Sequence, residues 1–531
     1  MLHGMIANPE TLPDDPVALK RIVVELREQH GQQISQLNSE NTLLHEQIRL
    51  LRQLLFGKKS EKLPANSTTV QLPLFDLPEP AYVEPAKVTV GPHDRKKPGR
   101  KPLPPELPRV EIIHDLPEEE KICACGCALS RIGEEVSEQL DVVPAKIQVQ
   151  RHIRPKYACR ACEGVEDDGP TVRIAPVVPQ IIPKSVASPG LLAHVLTGKF
   201  VDHLPFYRQE KVFARLGVEI GRATLSNWAV KAAEACMPLI NLIHDEILDG
   251  RLINIDETTL QVLAEPGRAP TSTSYMWLFR RGDPLRPALI YQYHPTRAGD
   301  VAKSFLGDYK GFVQTDGYSG YGFLDHRAGV RHAGCWAHAR RKFMEVIRAQ
   351  GKNRKSGSAD QALATIQQLY GLEKEARRLE LKPAAILAMR QEKARPILEG
   401  FHQWLLKRSA QTPPKGLLGK AVTYALNQWD RLVVYLEDPL LTPDNNLAEN
   451  GIRPFVLGRK NWLFAGTPKG AEASAALYSL IETAKANNCE PYSYLRHIFE
   501  RLPQASALAD YEALLPWNVN RTRIMLEGMG G

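Results

Sequence analysis

Two short segments decide the fold of this chain: Leu252-Ile-Asn-Ile-Asp256-Glu257 and Gly311-Phe-Val-Gln-Thr-Asp316. Each is a mainly apolar run of β type that ends in an acid, and Gly317 adds a turn signal after the second. A lone Asp after a strand is usually only a turn former. Two such strands are more informative, because carboxylates at neighbouring strand ends can share a divalent metal ion.

A third acid, Glu449, lies far along the chain, in Thr442-Pro-Asp-Asn-Asn-Leu-Ala-Glu449. The Pro443-Asp444 pair is typical of a helix start, which places Glu449 one to two turns into that helix. A phosphodiester resists hydrolysis because its anionic oxygens repel a nucleophile. Two Mg²⁺ ions held about 3.5–4 Å apart by carboxylates would overcome this resistance. Sequence spacing alone leaves open whether the three acids converge.

Composition excludes several classes of protein. Of the 531 residues, 43% are hydrophobic and 24% are charged, which is ordinary for a globular protein. No apolar run approaches the roughly 18 residues of a membrane helix, so we expect no membrane partner. The first residues carry Glu10, Asp14 and Asp15 where a secretory leader would be basic and then apolar. The net charge of +8 is compatible with nucleic acid without proving it.

Residues 16–56 have the pattern of one long helix. Apolar residues and one Asn recur every seven positions in two registers, Ile34, Asn41, Ile48 and Leu55, and Leu37, Leu44 and Leu51. These are a and d positions over about three heptads, and Asn41 favours a parallel dimer. The pattern therefore predicts a coiled coil, with an amphipathic helix packed on its own domain as the alternative.

Residues 57–108 are predicted to be a Pro-rich basic linker. Its basic run comprises Arg95, Lys96, Lys97, Arg100 and Lys101. The core Gly99-Arg-Lys-Pro102 resembles the AT-hook, an extended basic arm that lies in the minor groove of DNA. A solvated linker is the alternative.

Five of the eight cysteines cluster in a segment that we assign to residues 109–175, and these are Cys123, Cys125, Cys127, Cys159 and Cys162. Four thiolates in tetrahedral geometry would hold a structural Zn²⁺. The last two have the Cys-x-x-Cys spacing of a zinc knuckle. In the first group Cys123 and Cys125 are favoured and Cys127 competes. Free thiols are the alternative, whereas a zinc ion would fold a module with little core.

Residues 176–245 are predicted to form a helical segment that contains a helix-turn-helix. Gly217 is placed to end the first helix, and Arg222-Ala-Thr224 begins the second. Arg222 and Thr224 would then stand on a helix of the kind that enters the major groove of DNA. A plain pair of core helices is the alternative.

These residues together resemble a known family, the transposases of the insertion-sequence-66 type, which carry an Asp-Asp-Glu triad. The resemblance covers nearly the whole chain. Its most specific stretches are Val110 to Cys162, Asn254-Ile-Asp-Glu-Thr, Gln314-Thr-Asp-Gly-Tyr-Ser-Gly-Tyr, Cys335-Trp-Ala-His-Ala-Arg-Arg-Lys-Phe, Asn445-Asn-Leu-Ala-Glu-Asn, Gly458-Arg-Lys-Asn-Trp-Leu-Phe and the tail from Ile481 to Phe499.

The resemblance implies a multidomain α+β chain with a ribonuclease-H-like α/β core. That core would span residues 246–470, with a helical insertion at about 350–440 and a C-terminal helical module over 471–531. Asp256, Asp316 and Glu449 would hold two Mg²⁺ ions. The implied reaction is hydrolysis at the ends of a mobile element, followed by attack of the freed 3′-hydroxyl on target DNA.

The resemblance also assigns roles to other side chains. A Cys-x-x-His pair near the second acid recurs in several transposase families, and His338 would orient the scissile phosphate. A surface His on a helix is the alternative. The expected phosphate contacts, which would otherwise be solvated charges, are Arg340, Arg341, Arg453, Arg459 and Lys460.

The implied partners are double-stranded DNA (element ends and target), a second copy or more through the N-terminal zipper, and accessory proteins encoded by the element. The implied location is the bacterial cytoplasm at the nucleoid. Two departures stand out, since the first knuckle lacks Cys-x-x-Cys spacing and Asn450 stands where many relatives carry Arg. The rival functions are a regulator of the same lineage that does not cut, and a nuclease that never joins ends.

Overall fold

The computed structural model of the protein describes residues 15–56, 147–158, 172–350 and 356–524. The basic run of the linker and all five clustered cysteines lie outside these ranges. The chain divides into two compact units, one of which is Glu79–Ala175 and the other the remainder. Within the described ranges, no helix is both long and apolar enough to cross a membrane.

The smaller unit contains a two-stranded antiparallel sheet. Strand β1 (Lys156–Ala158) pairs with β2 (Val172–Ile174). The guanidinium of Arg154 donates a hydrogen bond to the carbonyl oxygen of Ala175 at 2.8 Å.

The larger unit is mainly helical. In chain order its helices are α1 (Pro16–Phe56), α2 (Pro189–Phe200), α3 (Phe206–Arg215), α4 (Arg222–Ala235), α5 (Met237–Leu248), α6 (Asp300–Leu306), α7 (Trp336–Gln350), α8 (Ser358–Arg378), α9 (Pro383–Met389), α10 (Arg395–Gln411), α11 (Leu417–Asn427), α12 (Trp429–Leu432), α13 (Asn446–Trp462), α14 (Pro468–Ala486), α15 (Pro491–Arg501) and α16 (Leu508–Ala513). Short 3-10 helices occur at Ser319–His326, Val434–Leu436 and Leu502–Gln504.

One five-stranded mixed sheet forms the centre of this unit. Its strands are β3 (Leu252–Gln261), β4 (Thr273–Arg281), β5 (Leu289–His294), β6 (Gly311–Gln314) and β7 (Val330–Ala333). The order across the sheet is β5-β4-β3-β6-β7. The β3, β4 and β5 strands pair antiparallel, whereas β3, β6 and β7 pair parallel. The fold is therefore mixed α+β, as the sequence predicts.

Helices cover the sheet and close its β5 edge. In β4 the run Met276–Phe279 is fully buried, as expected for a strand with helices on both faces. Helix α14 packs against β5, where the hydroxyl of Ser479 accepts a hydrogen bond from the amide of Tyr291 at 2.8 Å. The hydroxyl of Thr483 accepts a hydrogen bond from the amide of Leu289 at 3.0 Å. These two bonds satisfy edge amides that would otherwise be free to pair with another strand.

Helices α3 and α4 are joined by a turn that contains Gly217, and the helix-turn-helix stays a prediction. Gly217 adopts a φ of +81°, a conformation that residues with a Cβ rarely take. The amide of Val218 donates to the carbonyl of Phe213 at 3.0 Å, and that of Gly217 to Ala214 at 3.1 Å. This is the Schellman pattern, in which a left-handed Gly satisfies the last helix carbonyls.

Helix α1 contacts α7, but its predicted seam does not mediate that packing. The seam side chains are exposed by 44–59%, and they are Ile34, Leu37, Leu44, Ile48 and Leu51. An amphipathic helix packed on its own domain would bury these residues. The exposed seam fits the predicted coiled coil, which stays a prediction.

The helical insertion, α8 to α12, is fastened to the chain segment that precedes α13. Arg390 lies in a single π turn (Arg390–Ala394) and is 1% exposed. Its guanidinium pairs with both oxygens of Glu373 at 2.8 and 2.9 Å. It also donates to the carbonyl oxygens of Tyr435, Asp438 and Leu441 at 2.6–2.9 Å. All five N–H groups of Arg390 are therefore satisfied.

We expect Arg390→Gln to destabilise the protein by about 3–5 kcal/mol, because it leaves the Glu373 carboxylate buried without its cation. The matched control is Arg395→Gln, five residues later on an exposed part of α10, which should change stability by less than about 0.5 kcal/mol. Chemical denaturation followed by circular dichroism measures both. Equal midpoints for the two variants would contradict the structural role of Arg390.

Candidate active site

The register of the parallel strands brings the first two predicted acids to one edge of the sheet. Asn254 of β3 stands opposite Gln314 of β6. Asp256 and Asp316 each follow two residues later, so both lie beyond the same paired position. Asp256 lies inside β3, which continues to Gln261 rather than ending at the acid as predicted, and strand alternation places it on the face of Asn254. Asp316 lies two residues beyond the last residue of β6.

A buried amide cluster attaches the start of α13 to this edge. The amide nitrogen of Asn254 donates to Gln314 Oε1 at 3.1 Å and to Asn445 Oδ1 at 2.9 Å. Asn445 in turn donates to the carbonyl of Ile255 at 2.8 Å. All three amide residues are at most 1% exposed. Glu449 follows Asn445 by four residues, so this cluster places Glu449 near Asp256 and Asp316.

Further hydrogen bonds fix the segment before α13. Gln314 Nε2 donates to the carbonyl of Thr442 at 2.8 Å and to that of Gly334 at 3.2 Å. The backbone amide of Trp336 donates to the carbonyl of Pro443 at 2.8 Å. The first turn of α7 and the segment that leads into α13 are therefore held against β6 together.

The three acids lie close enough to change one another's ionisation. Burial raises the pKa of Asp256 well above its usual value, and the charges of Glu257, Asp316 and Glu449 raise it further. Burial also raises the pKa of Glu449, which is 7% exposed. Arg341 opposes that rise, whereas Asp316 adds to it. The structure thus brings Asp256, Asp316 and Glu449 together.

His338 joins this group from the first turn of α7. Its Nδ1 lies 3.7 Å from Glu449 Oε1. Burial, aided by the charge of Arg341, lowers the pKa of His338 to about 4, so the imidazole is neutral at pH 7. The ring of His338 faces an acid of the site, so the structure does not match the alternative of a surface His.

Cys335 has a structural place beside this histidine. Its Sγ accepts hydrogen bonds from the backbone amides of Asn445, at 3.3 Å, and of His338. Burial raises the pKa of the Cys335 thiol, which favours the neutral form. Ligand atoms of Cys335, His338 and Glu449 nevertheless lie within 4.8 Å of one another, the only group of this kind among the residues that the structure describes.

A second acid cluster was missed by the sequence analysis. Glu257 points to the face opposite Asp256 and accepts hydrogen bonds from Arg297 Nε, at 2.6 Å, and from the Tyr321 hydroxyl. The Arg297 guanidinium lies 3.7 Å from the Tyr318 ring centre and 4.0 Å from Asp316 Oδ2. Only the adjacency of Glu257 to Asp256 hinted at this role, and nothing local marks Arg297.

The predicted phosphate contacts fall into different environments. Arg459 donates to Thr258 Oγ1 at 3.0 Å and to the backbone carbonyl of Thr259, so it ties the end of α13 to β3. Lys460 is exposed and Arg453 is half-buried. Arg453 and Lys460 thus have more freedom to meet a phosphate than Arg459.

Other predicted contacts lie on two helices. Arg222 and Thr224 are exposed at the start of α4, where a recognition helix would present its side chains. Arg340 and Arg341 are half-buried on α7, and the charge of Arg341 reaches Glu449. The basic residues of the linker, Arg95 to Lys101, lie outside the described ranges.

Comparison with known proteins identifies the family. A sequence profile described as "Transposase IS66 family" matches residues 184–473. Further profiles match residues 120–163 ("zinc-finger binding domain of transposase IS66"), 479–517 ("IS66 C-terminal element") and 43–112 ("Transposase C of IS166 homeodomain"). This chain belongs to the IS66 transposase family and carries its zinc-finger domain, which contains all five clustered cysteines.

Relatives from Sinorhizobium fredii match over nearly their full length. The protein named "Uncharacterized protein y4jD" is 33% identical over 96% of this chain and 97% of its own. "Uncharacterized protein y4hP" is 30% identical over 89% and 88%, and "Uncharacterized protein y4qI" is 29% identical over 97% and 99%. These names state neither an activity nor a family.

We expect Asp256→Asn to raise the melting temperature at pH 7.5 without added divalent metal, by about 2–4 °C. Because the folded state raises the pKa of Asp256, this carboxyl costs stability at a pH above its ordinary value of 3.8, and a neutral amide removes the cost. The gain should shrink as the pH falls through that value and vanish below it, where the carboxyl is protonated in both the folded and the unfolded state. The exposed control Asp308→Asn should show neither effect in differential scanning fluorimetry.

Proposed function

We propose that this protein is a DNA transposase that cuts the ends of a mobile element and joins the freed 3′-hydroxyls to target DNA. The observation that carries the proposal is that Asp256, Asp316 and Glu449 lie close together beside the paired strands β3 and β6. We assign the core to the ribonuclease-H-like fold. Three antiparallel strands followed by two parallel ones support that assignment, with one acid inside β3 and the second two residues after β6.

The donor set suits two Mg²⁺ ions. Mg²⁺ prefers carboxylate oxygens and keeps part of its water shell. The three carboxylates repel one another, and a divalent cation would convert that repulsion into binding. Glu449 Oε1 is buried and has no hydrogen-bond partner in the described part of the chain. When bound, the ions would activate water or a 3′-hydroxyl and stabilise the leaving oxygen.

The protein's own residues would position these reactants. The amide cluster of Asn254, Gln314 and Asn445 holds the acids in place before DNA arrives, which avoids reorganisation during the reaction. Arg297 lies beside Asp316 and would help to fix that carboxylate. His338 is the fourth member of the site.

Other parts of the chain would bind DNA and a second copy. The zinc-finger domain, the AT-hook-like run and the exposed start of α4 are the proposed DNA contacts. The exposed seam of α1 supports a homodimer or higher assembly through residues 16–56. We also propose accessory proteins, encoded by the element, as partners. The domain boundaries predicted from the sequence belong to the same proposal.

The central test measures cleavage and joining separately on DNA that contains an element end. Asp256→Asn, Asp316→Asn and Glu449→Gln should each lower cleavage by about a hundredfold or more, because each removes a carboxylate that would hold the metal ions. All three should still bind the DNA, and the exposed control Asp308→Asn should remain active.

A substrate whose 3′-hydroxyl is already free distinguishes the rival functions. Strand transfer from this substrate by the parent protein, lost in the same variants, is the expected result. Cleavage without any joining would favour a nuclease. Unchanged excision by Asp316→Asn would favour a regulator that binds DNA without cutting it.

We expect the full chain to hold one Zn²⁺, which elemental analysis of the purified protein would measure. Cys159→Ser and Cys162→Ser should lose the zinc and weaken DNA binding, because the module then loses its main source of stability. Cys123→Ser and Cys125→Ser should behave alike, whereas Cys127→Ser should keep the metal. Zinc loss in Cys127→Ser with retention in Cys125→Ser would reverse the ligand assignment in the first knuckle.

A further inference from the structure

Two buried polar atoms at the site lack hydrogen-bond partners. Glu449 Oε1 and His338 Nδ1 each expose almost no surface, and neither makes a hydrogen bond to any residue that the structure describes. Such groups are rare in folded proteins, because burying them without a partner costs stability. Two of them facing each other indicate that a third group belongs between them.

The distance between these atoms fits a shared metal ion. At 3.7 Å they are too far apart for a hydrogen bond to each other. Ligand atoms about 2.1 Å from one ion would lie about 3.0 Å apart at a right angle and about 4.2 Å apart on opposite sides. The observed separation falls within this interval.

We propose that His338 Nδ1 is a direct ligand of the divalent cation that Glu449 holds. The inference rests on the proposed function and adds a nitrogen to what would otherwise be an all-oxygen site. His338 thereby becomes a metal ligand, in place of the phosphate-orienting role that the family resemblance implies.

The neighbouring thiol does not join this ligand set. Cys335 Sγ already accepts two backbone hydrogen bonds, from Asn445 and His338. These bonds hold the sulfur against the first turns of α7 and α13, and they explain why a Cys precedes His338 by three residues. The set is therefore one imidazole nitrogen with carboxylate oxygens.

The start of α7 is built rigidly enough to present the imidazole. Trp336 is fully buried, and its indole N–H donates to the carbonyl of Leu432 at 2.9 Å. Its backbone amide donates to Pro443 at 2.8 Å, in the segment that leads into α13. Because α7 and α13 are anchored through the same segment, His338 and Glu449 hold their mutual position.

A mixed nitrogen–oxygen set changes which ions the site takes. Oxygen ligands suit Mg²⁺, whereas imidazole favours first-row transition ions. The position shared by His338 and Glu449 should therefore bind Mn²⁺ more tightly than Mg²⁺. His338→Gln should weaken Mn²⁺ binding about tenfold. This equals the lower end of the losses that follow when only a hydrogen-bond partner of a metal ligand is removed. The same substitution should change Mg²⁺ binding by less than about threefold.

The test uses Mn²⁺ as probe in the full-length protein. Electron spin echo spectroscopy of bound Mn²⁺ detects magnetic coupling to a directly ligated nitrogen, and calorimetry gives the affinity. We expect nitrogen coupling in the parent and in the control His326→Gln, whose histidine is exposed. The coupling should vanish in His338→Gln. Protein grown with ¹⁵N-labelled histidine should shift the coupling to the ¹⁵N frequency, which tests the ligand without any substitution.

The outcomes separate this inference from the proposed function. Mn²⁺ that binds through the acids, and is lost in Asp256→Asn and Glu449→Gln, but shows no histidine nitrogen overturns the ligand role of His338 alone. Coupling that survives His338→Gln overturns it as well. Absence of any binding that depends on Asp256, Asp316 and Glu449 would overturn both the ligand role and the metal site on which the proposed function rests.

Discussion

The site depends on one buried constraint, the amide cluster of Asn254, Gln314 and Asn445. These residues lie 60 and 131 positions apart along the chain, yet they bond to one another within 3.1 Å. Side-chain amides suit this place because each offers both donors and an acceptor, so one residue can bind two elements at once. In the interior such bonds are costly to break, since the freed groups would remain buried and unpaired. The cluster therefore fixes α13 on the sheet edge with little freedom to slide.

That rigidity is needed because the acids of the site lower the stability of the fold. Asp256, Asp316 and Glu449 repel one another, and burial raises the pKa of Asp256 and Glu449. Without cations, this arrangement is less stable than a neutral one would be. Proteins place such strained groups where function needs them, and the surrounding structure holds them there. Here neutral side-chain amides and backbone carbonyls fix the positions, and the nearby charges of Arg341 and Arg297 offset only part of the negative charge.

The sequence predicts the parts of this site that have local signals. Asp256 and Asp316 follow apolar runs of sequence, and Gly217 ends a helix, so each could be found from its neighbours. The convergence of Glu449 with them could not, because it is set by Asn254 and Asn445, whose pairing spans 191 residues. Arg297 gave no signal for the same reason, since its partner Glu257 lies 40 residues away. Arg459 is bonded to Thr258, a contact that its local sequence does not indicate, and its phosphate contact stays a prediction.

The helical insertion is connected to the site through the same segment that starts α13. Arg390 binds the carbonyls of Tyr435, Asp438 and Leu441, and Gln314 binds that of Thr442, the next residue. Rotation of the insertion would therefore pull on the chain immediately before Asn445 and Glu449. The bonds of Arg390 are buried and use all of its N–H groups. We therefore expect the insertion and the segment before α13 to move together. The bonds of Arg390 and of Gln314 thus meet on adjacent residues, Leu441 and Thr442, of the segment that leads to the third acid.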